Sequence, residues 1–280
     1  MRSGEVKTGL LDEIQERCRK GVLMRQQRSV LHAVLLLVTF CFAPSVLANT
    51  DDSQLPSSAG VSHARAVSLS LVSGTVMARR PGSTKWAGAT MDTPIEEGVS
   101  IATARHSFAE VQFEDGSTVR LGELSCVDFT QLALAPHSGR INRLTLVVGF
   151  TTIHVMPKRH DDYVLNASGI SLTPHGKAEF RTDLSHGHLR VEVFRGHIQA
   201  ADSNQSDRLG KNHALAYDDH AGGAFQVTDS IQMDEWDKWV QERDRQTSVL
   251  AYGDGWDASI PFGYGGSMGA LAGDLGADSF

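Results

Sequence analysis

Cysteine is scarce in this chain, with three in 280 residues. That excludes a disulfide-dense scaffold and a four-cysteine zinc site. Positive charge is also short. Lys and Arg total 26 against 33 Asp and Glu, a net charge of −7. This argues against a nucleic-acid binder, whose footprint is a basic patch or stripe. Neither a phosphate-binding loop nor a Gly-rich dinucleotide fingerprint occurs. No apolar run reaches the roughly 20 residues that cross a bilayer core. What is present is 41% hydrophobic and 21% charged. That composition is globular, in a chain long enough for one or two domains.

The strongest local signal lies near the N-terminus. Met24-Arg25-Gln26-Gln27-Arg28 is basic, Val30 to Ala43 is mostly apolar, and Pro44-Ser45-Val46-Leu47-Ala48 ends on a small residue. These are the three parts of a secretory signal peptide. Val46-x-Ala48 places the start of the mature chain near Asn49. An uncleaved membrane anchor is the alternative, weakened by the shortness of the run and by His32 and Pro44. Residues 1–23 reflect either a start upstream of a true Met24 or a short cytoplasmic helix with Leu10, Leu11 and Ile14 on one face. Cys41 follows Thr39-Phe40, which does not suit lipid attachment. Residues 1–48 hold seven of the basic and four of the acidic residues, so the chain from Asn49 onward carries −10. Cleavage also removes Cys18 and Cys41. It leaves Cys126 as a lone thiol, expected to be buried and inert because no Lys or Arg flanks it.

Five segments follow: 1–48 as extension and signal peptide or anchor, 49–65 as a flexible leader, 66–220 as a β-domain, 231–246 as an amphipathic helix, and 251–280 as a disordered tail. In the β-domain, Ala109, Val111 and Phe113 alternate with Glu110 and Gln112. Glu114-Asp115-Gly116-Ser117 then turns the chain, and Val119 and Leu121 resume with Arg120 outward. Leu144, Leu146 and Val148 alternate up to Gly149, and Ile153 and Val155 continue beyond it. Leu189, Val191 and Val193 alternate with Arg190 and Glu192, up to a turn at Arg195-Gly196. About twelve such strands are expected between residues 67 and 217. The fold class is mainly β: an antiparallel sandwich or a rolled, solenoid-like stack, with one C-terminal helix and a disordered tail.

In the expected helix, Ile231, Trp236, Trp239 and Val240 lie near one face. Asp234, Glu235 and Asp237 crowd its first turn, where carboxylates suit the helix dipole. It either docks on the β-domain or binds a partner. The tail has eight Gly in thirty residues, four Asp and no Lys or Arg. Its regular apolar surface is too small to offset the ordering entropy.

Four motifs in order carry a resemblance. Glu97-Gly98-Val99-Ser100-Ile101-Ala102-Thr103 leads into Ala109 to Gly122, with Asp115-Gly116-Ser117 and Arg120-Leu121-Gly122 inside it. Arg143 to Gly149, Gly176 to Arg181 and Val191 to Ile198 follow. Residues 67–217 thus resemble the FecR-type periplasmic domain. The resemblance implies a role in signalling across the envelope. In the best-known members that means an inner-membrane regulator linking an outer-membrane transporter to a sigma factor. This chain departs from that plan, because about 29 residues precede Val30, too few for a cytoplasmic sigma-binding domain.

Chemical motifs are few. Gly265-Gly266-Ser267-Met268-Gly269 matches a hydrolase elbow but lacks the strand and helix that the elbow needs. His186-Gly187-His188 offers two ligands where a site needs three or four, and His154, His160 and His175 have no shared spacing. Asp161-Asp162 and Asp218-Asp219 flank predicted turns. No catalytic residue, metal site or cofactor is expected, and the protein is read as a non-enzymatic envelope protein. The expected partner is another envelope protein, with membrane contact only if the signal is uncleaved. The candidate interaction residues are Glu114, Asp115, Gly116, Ser117 and Arg120 on the hairpin, and Trp236 and Trp239 on the helix. A membrane-anchored sigma regulator and an envelope hydrolase are the alternatives. The location is periplasmic or secreted, or else the inner membrane. Ligand identity and oligomeric state are not readable.

Overall fold

The computed structural model describes residues 65–135, 139–219 and 223–252, with Glu16 and Cys18, both helical, beside them. The predicted signal sequence, nearly all of the leader and the Gly-rich tail from residue 253 lie outside the described residues. The chain divides into two compact units, Met1–Trp236 and Asp237–Phe280.

Sixteen strands build the first unit. They are β1 Ser68–Ser73, β2 Val76–Arg79, β3 Trp86–Gly88, β4 Ser100–Thr103, β5 Phe108–Gln112, β6 Thr118–Leu121, β7 Cys126–Leu134 and β8 Arg140–Val155. Then come β9 Asp162–Ala167, β10 Ile170–Pro174, β11 Ala178–Ser185, β12 His188–Arg195, β13 His197–Ala201, β14 Ser206–Gly210, β15 Ala214–Asp218 and β16 Gln226–Thr228. Helix α1 spans Glu235–Tyr252. It begins later and ends later than the sequence pattern predicts; Ile231 to Asp234 are an irregular strap, neither helix nor strand, before its first turn.

The strands form two layers that share β8. One layer runs β1-β5-β6-β8-β11-β12-β15-β16. The other runs β3-β2-β4-β7-β8-β9-β10-β13-β14. From β9 onward the chain lays down hairpins in alternate layers: β9–β10 in the second, β11–β12 in the first, β13–β14 in the second and β15–β16 in the first. All pairs are antiparallel except β8 with β9. Over residues 67–218 fifteen strands form where roughly twelve are expected, because three- and four-residue strands such as β2, β3 and β4 are too short to show alternation.

Period-two patterning explains the core. Val111, Val119, Ile153, Phe180 and Val191 point inward from the first layer, and Ile101, Val127, Leu144, Leu165 and Ile198 from the second. All ten are at least 98% buried. Burying a side chain of this size contributes roughly 1.5–3 kcal/mol. Inside the core, Phe113 meets Tyr163 edge-on at 5.6 Å, a favoured aromatic geometry.

Gly149 decides how β8 serves both layers. The alternation suggests an interruption at this point; in the structure the strand continues through it and changes sheets. Its φ is +89°, and a Cβ there would lie 2.4 Å from Ser125 Oγ and 2.7 Å from the Leu124 carbonyl oxygen. A side chain is excluded on both conformational and steric grounds.

Cys126 is not a lone thiol in the full-length chain. It forms a disulfide with Cys18, with Cα atoms 6.1 Å apart. The two sulfurs pack with Met77, Ala102 and Ala104, and Trp86 and Val148 border them. The expectation of a free thiol assumes that Cys18 leaves with the signal; while residue 18 is present, it caps this patch.

Candidate interaction surface

Alternation leaves a second set of side chains on the far side of the first layer. Register lines five of them into one row across β5, β6, β8, β11 and β12. Glu110 lies opposite Arg120, Arg120 opposite Thr152, Thr152 opposite Arg181, and Arg181 opposite Glu192. These residues face away from the core, as their polarity predicts, yet none is exposed. Relative exposure is 4% for Glu110, 2% for Arg120, 1% for Thr152 and 3% for Glu192. Arg120, read as outward from the alternation, does lie on the outer face but is buried there. Alternation assigns it to the outer face, and tertiary contacts then cover that face.

Buried charges persist only when partnered. Arg120 Nε donates to Glu110 Oε2 at 2.7 Å, and Ser70 Oγ donates to Glu110 Oε1 at 2.7 Å. Arg181 donates through Nε and Nη2 to both oxygens of Asp183 at 2.9 Å, a bidentate pair. Its Nη1 donates to Asp234 Oδ2 at 2.7 Å. Burial raises the Asp183 carboxyl above its ordinary value. Arg181 opposes that rise, while the nearby negative charges of Glu192 and Asp234 add to it.

Beside this row lies an aromatic cradle. Phe108 on β5 and Phe150 on β8 hold the indole of Trp236, with ring centroids 5.5 Å and 5.2 Å away. The Phe150 contact is edge-on at 84°. Trp236 Nε1 donates to Thr152 Oγ1 at 2.9 Å. The Arg181 guanidinium stands 5.0 Å over the Phe150 ring, within cation–π range. Phe150 can lie here because residue 122 is glycine: a Cβ at Gly122 would fall 1.9 Å from the ring. The glycine of the Arg120-Leu121-Gly122 motif thus shapes one wall of the cradle.

The seven residues singled out in sequence fall in four places. On the hairpin, Glu114 Oε1 accepts from Arg65 Nε at 2.6 Å and from the Ala66 amide at 3.0 Å. Burial alone would raise the Glu114 pKa, but the Arg65 hydrogen bond and charge hold it below the usual carboxylate range. Asp115 accepts from the Tyr163 hydroxyl at 2.7 Å and from the Ser117 amide at 2.8 Å. Ser117 Oγ accepts from the Met156 amide at 2.8 Å. Gly116 turns the chain at φ +89°. These side chains bind the hairpin to its own domain. Arg120 belongs to the buried row, and Trp236, 8% exposed, fills the cradle. Trp239 is half-buried in the second unit. Sequence reading missed Phe108, Phe150, Thr152, Arg181 and the anchoring role of Asp234. Phe108 and Phe150 carry the available signal, being large aromatics in outward phase.

The paired acids are engaged as well. Asp161 Oδ2 accepts from Arg140 Nη1 at 2.9 Å, and Asp162 pairs with Arg143. His188 Nδ1 stands 3.2 Å from Asp218 Oδ2, and Ser185 Oγ is 2.9 Å from His186 Nδ1. Among the described residues no helix is long and apolar enough to cross a membrane. The run Val30–Ala43 is not among them.

No curated protein matches the chain. Two solved structures of a candidate anti-sigma factor from Parabacteroides distasonis ATCC 8503 are similar to it, with TM-scores of 0.40 and identities of 15% and 14%. Each match covers 47% of this chain and 59% of that one. Residues 99–199 match the family model described as FecR protein. That span runs from the residue before β4 into β13, through the shared strand β8 and both layers. Over residues 99–199, the chain is similar to the FecR family.

Proposed function

We propose that this protein is a non-enzymatic FecR-type module of the bacterial envelope, which acts in signalling or scaffolding by binding another envelope protein. The observation that carries the reading is the FecR match over residues 99–199, the centre of the sandwich. Two further features support it. The basic, apolar and small-residue segments between Met24 and Ala48 suit export. Three of the acids considered as catalytic groups stand against side chains of the sheets: Asp161 with Arg140, Asp162 with Arg143 and Asp218 beside His188.

The Cys18–Cys126 bond sets a condition on this reading. It requires a chain that keeps residue 18 and holds both cysteines on one side of any membrane. Cleavage after Ala48 removes Cys18 and leaves Cys126 as a thiol.

The test combines intact mass, N-terminal sequencing and thiol counting on protein purified from envelope fractions, followed by site-specific photo-cross-linking from the outer face of the first layer. A start near Asn49, one thiol and a discrete cross-linked envelope protein are expected. A retained N-terminus in the inner-membrane fraction with free Cys18 would replace this reading with the anchored sigma regulator. A retained N-terminus with the disulfide intact would exclude both that regulator and cleavage.

A further inference from the structure

The chain enters the sandwich past a single arginine. Arg65 precedes β1, and its side chain is 7% exposed. Backbone pairing starts beyond it, at Val67, whose carbonyl accepts from the Ile95 amide at 2.8 Å. Arg65 is held by its side chain instead. Its Nε and Nη2 donate to the two oxygens of Glu114 at 2.6 and 3.0 Å, a bidentate pair. Nη2 also donates to Asn142 Oδ1 at 2.8 Å, and Nη1 to the Ala133 carbonyl at 3.1 Å. One guanidinium thus fastens the β5–β6 hairpin, the end of β7 and the start of β8. Glu114 has a second arginine beside it. Arg140 Nε stands 3.9 Å from Glu114 Oε2, while Arg140 Nη1 donates to Asp161 at 2.9 Å.

From these contacts we propose that Glu114 is the pivot of a two-position latch that couples the entering chain to the β5–β6 hairpin. In the seated position, the one observed, Glu114 holds Arg65. In the released position Arg140 takes Glu114, and the chain up to Ala66 leaves the domain. The alternative partner makes the second position accessible. A buried carboxylate left alone is costly, and Arg140 already stands beside this one. Release also takes a donor from Asn142 Oδ1, a fully buried residue, which favours the seated position. No strand pair breaks on release, because pairing starts at Val67, so it is a local opening and not an unfolding. The hairpin feels the change, since its other ties are Asp115 to Tyr163 and Ser117 to the Met156 amide. Tension on the chain before Arg65 thereby reaches the hairpin. The regulatory sense of the latch rests on the reading of this chain as a signalling module. Its test uses purified protein, so failure here leaves the envelope experiment untouched.

Trypsin reads the latch. Residues 49–64 contain no Lys or Arg, so the bond after Arg65 is the first tryptic site in a chain that starts at Asn49. A longer chain yields the same product, a fragment beginning at Ala66. Its rate of appearance under native conditions is followed by mass spectrometry, beside the urea midpoint of each variant. E114Q removes the ion pair and is expected to speed the cut at least about tenfold. R140M removes the alternative partner and is expected to slow the cut about threefold. A merely structural clamp predicts the opposite for R140M, because loss of the Arg140–Asp161 pair loosens the same end of the sandwich. In case E114Q does not fold, hydrogen exchange on the wild type serves. The Ala66 amide, bonded to Glu114 at 3.0 Å, is expected to exchange at a rate that low urea leaves unchanged, as a local opening does. The proposal is overturned by a folded E114Q cut no faster than wild type, by an R140M cut as fast as wild type or faster, or by Ala66 exchange that rises with urea as the Leu69 amide does.

Discussion

Trp236 Nε1 donates a hydrogen bond to Thr152 Oγ1 at 2.9 Å, closing a separation of 84 residues. The contact joins the end of the strap to the middle of β8. Both atoms are buried, so the groups depend on each other. Replacing one partner leaves the other unsatisfied at a cost of about 1–3 kcal/mol, whereas replacing both with apolar groups is nearly neutral. W236F and T152V are each expected to lower the urea midpoint. The double variant is expected to recover most of either loss. Unfolding followed by circular dichroism checks this, and additive losses would contradict the coupling.

The Glu110–Arg120 pair makes a sharper case. Side-chain exposures are 5% and 2%, and the ion pair measures 2.7 Å. Removing one charge leaves the other buried, at a cost of about 3–5 kcal/mol. E110Q and R120M are expected to be severely destabilised. E110L/R120M is expected to be more stable than either, because apolar groups of similar volume avoid the desolvation penalty. Chemical denaturation of the three variants tests the order.

Glycine positions divide by geometry. Gly149→Ala forces a side chain into φ +89° and against Ser125. The backbone term alone is roughly 1–3 kcal/mol, and the collision adds to it. Gly88 on β3 has ordinary φ, and a Cβ added there would meet no atom within 4 Å. Gly88→Ala is expected to be neutral or stabilising by roughly 0.4–1 kcal/mol. Thermal melts of the two variants read the contrast, and equal melting temperatures would refute it.

Acid sensitivity is expected at Glu114. Its folded pKa lies below the ordinary value of 4.5, held there by Arg65 against the effect of burial. A depressed carboxyl contributes stability that is fully present above its unfolded pKa and lost as pH falls through the folded one. Wild type is therefore expected to lose more stability than E114Q as pH drops below about 4.5. Urea titrations from pH 6 to pH 3 measure the difference between the two curves. Parallel curves would show that Arg65 does not protect this carboxylate.

The longer strands of the sandwich and their inward faces follow from the sequence pattern alone. Val111, Val119, Ile153 and Val191 were legible because alternation is local, and burial follows directly from it. Asp115-Gly116-Ser117 fixed its hairpin because turn geometry selects its residues within four positions. The same alternation placed Glu110 and Arg120 on the outer face, and it could not say that this face would be covered or that Thr152, Arg181 and Glu192 would join them there. Only the tertiary structure brought these residues into one row, because that row depends on register among five strands distant in sequence. It also decided that β8 runs through Gly149 into both layers, that Cys18 joins Cys126, and that Trp236 lies between Phe108 and Phe150. Each is a meeting of residues separated by 80 or more positions or by a change of sheet. Local pattern sets which way a side chain points; long-range packing sets what it meets there.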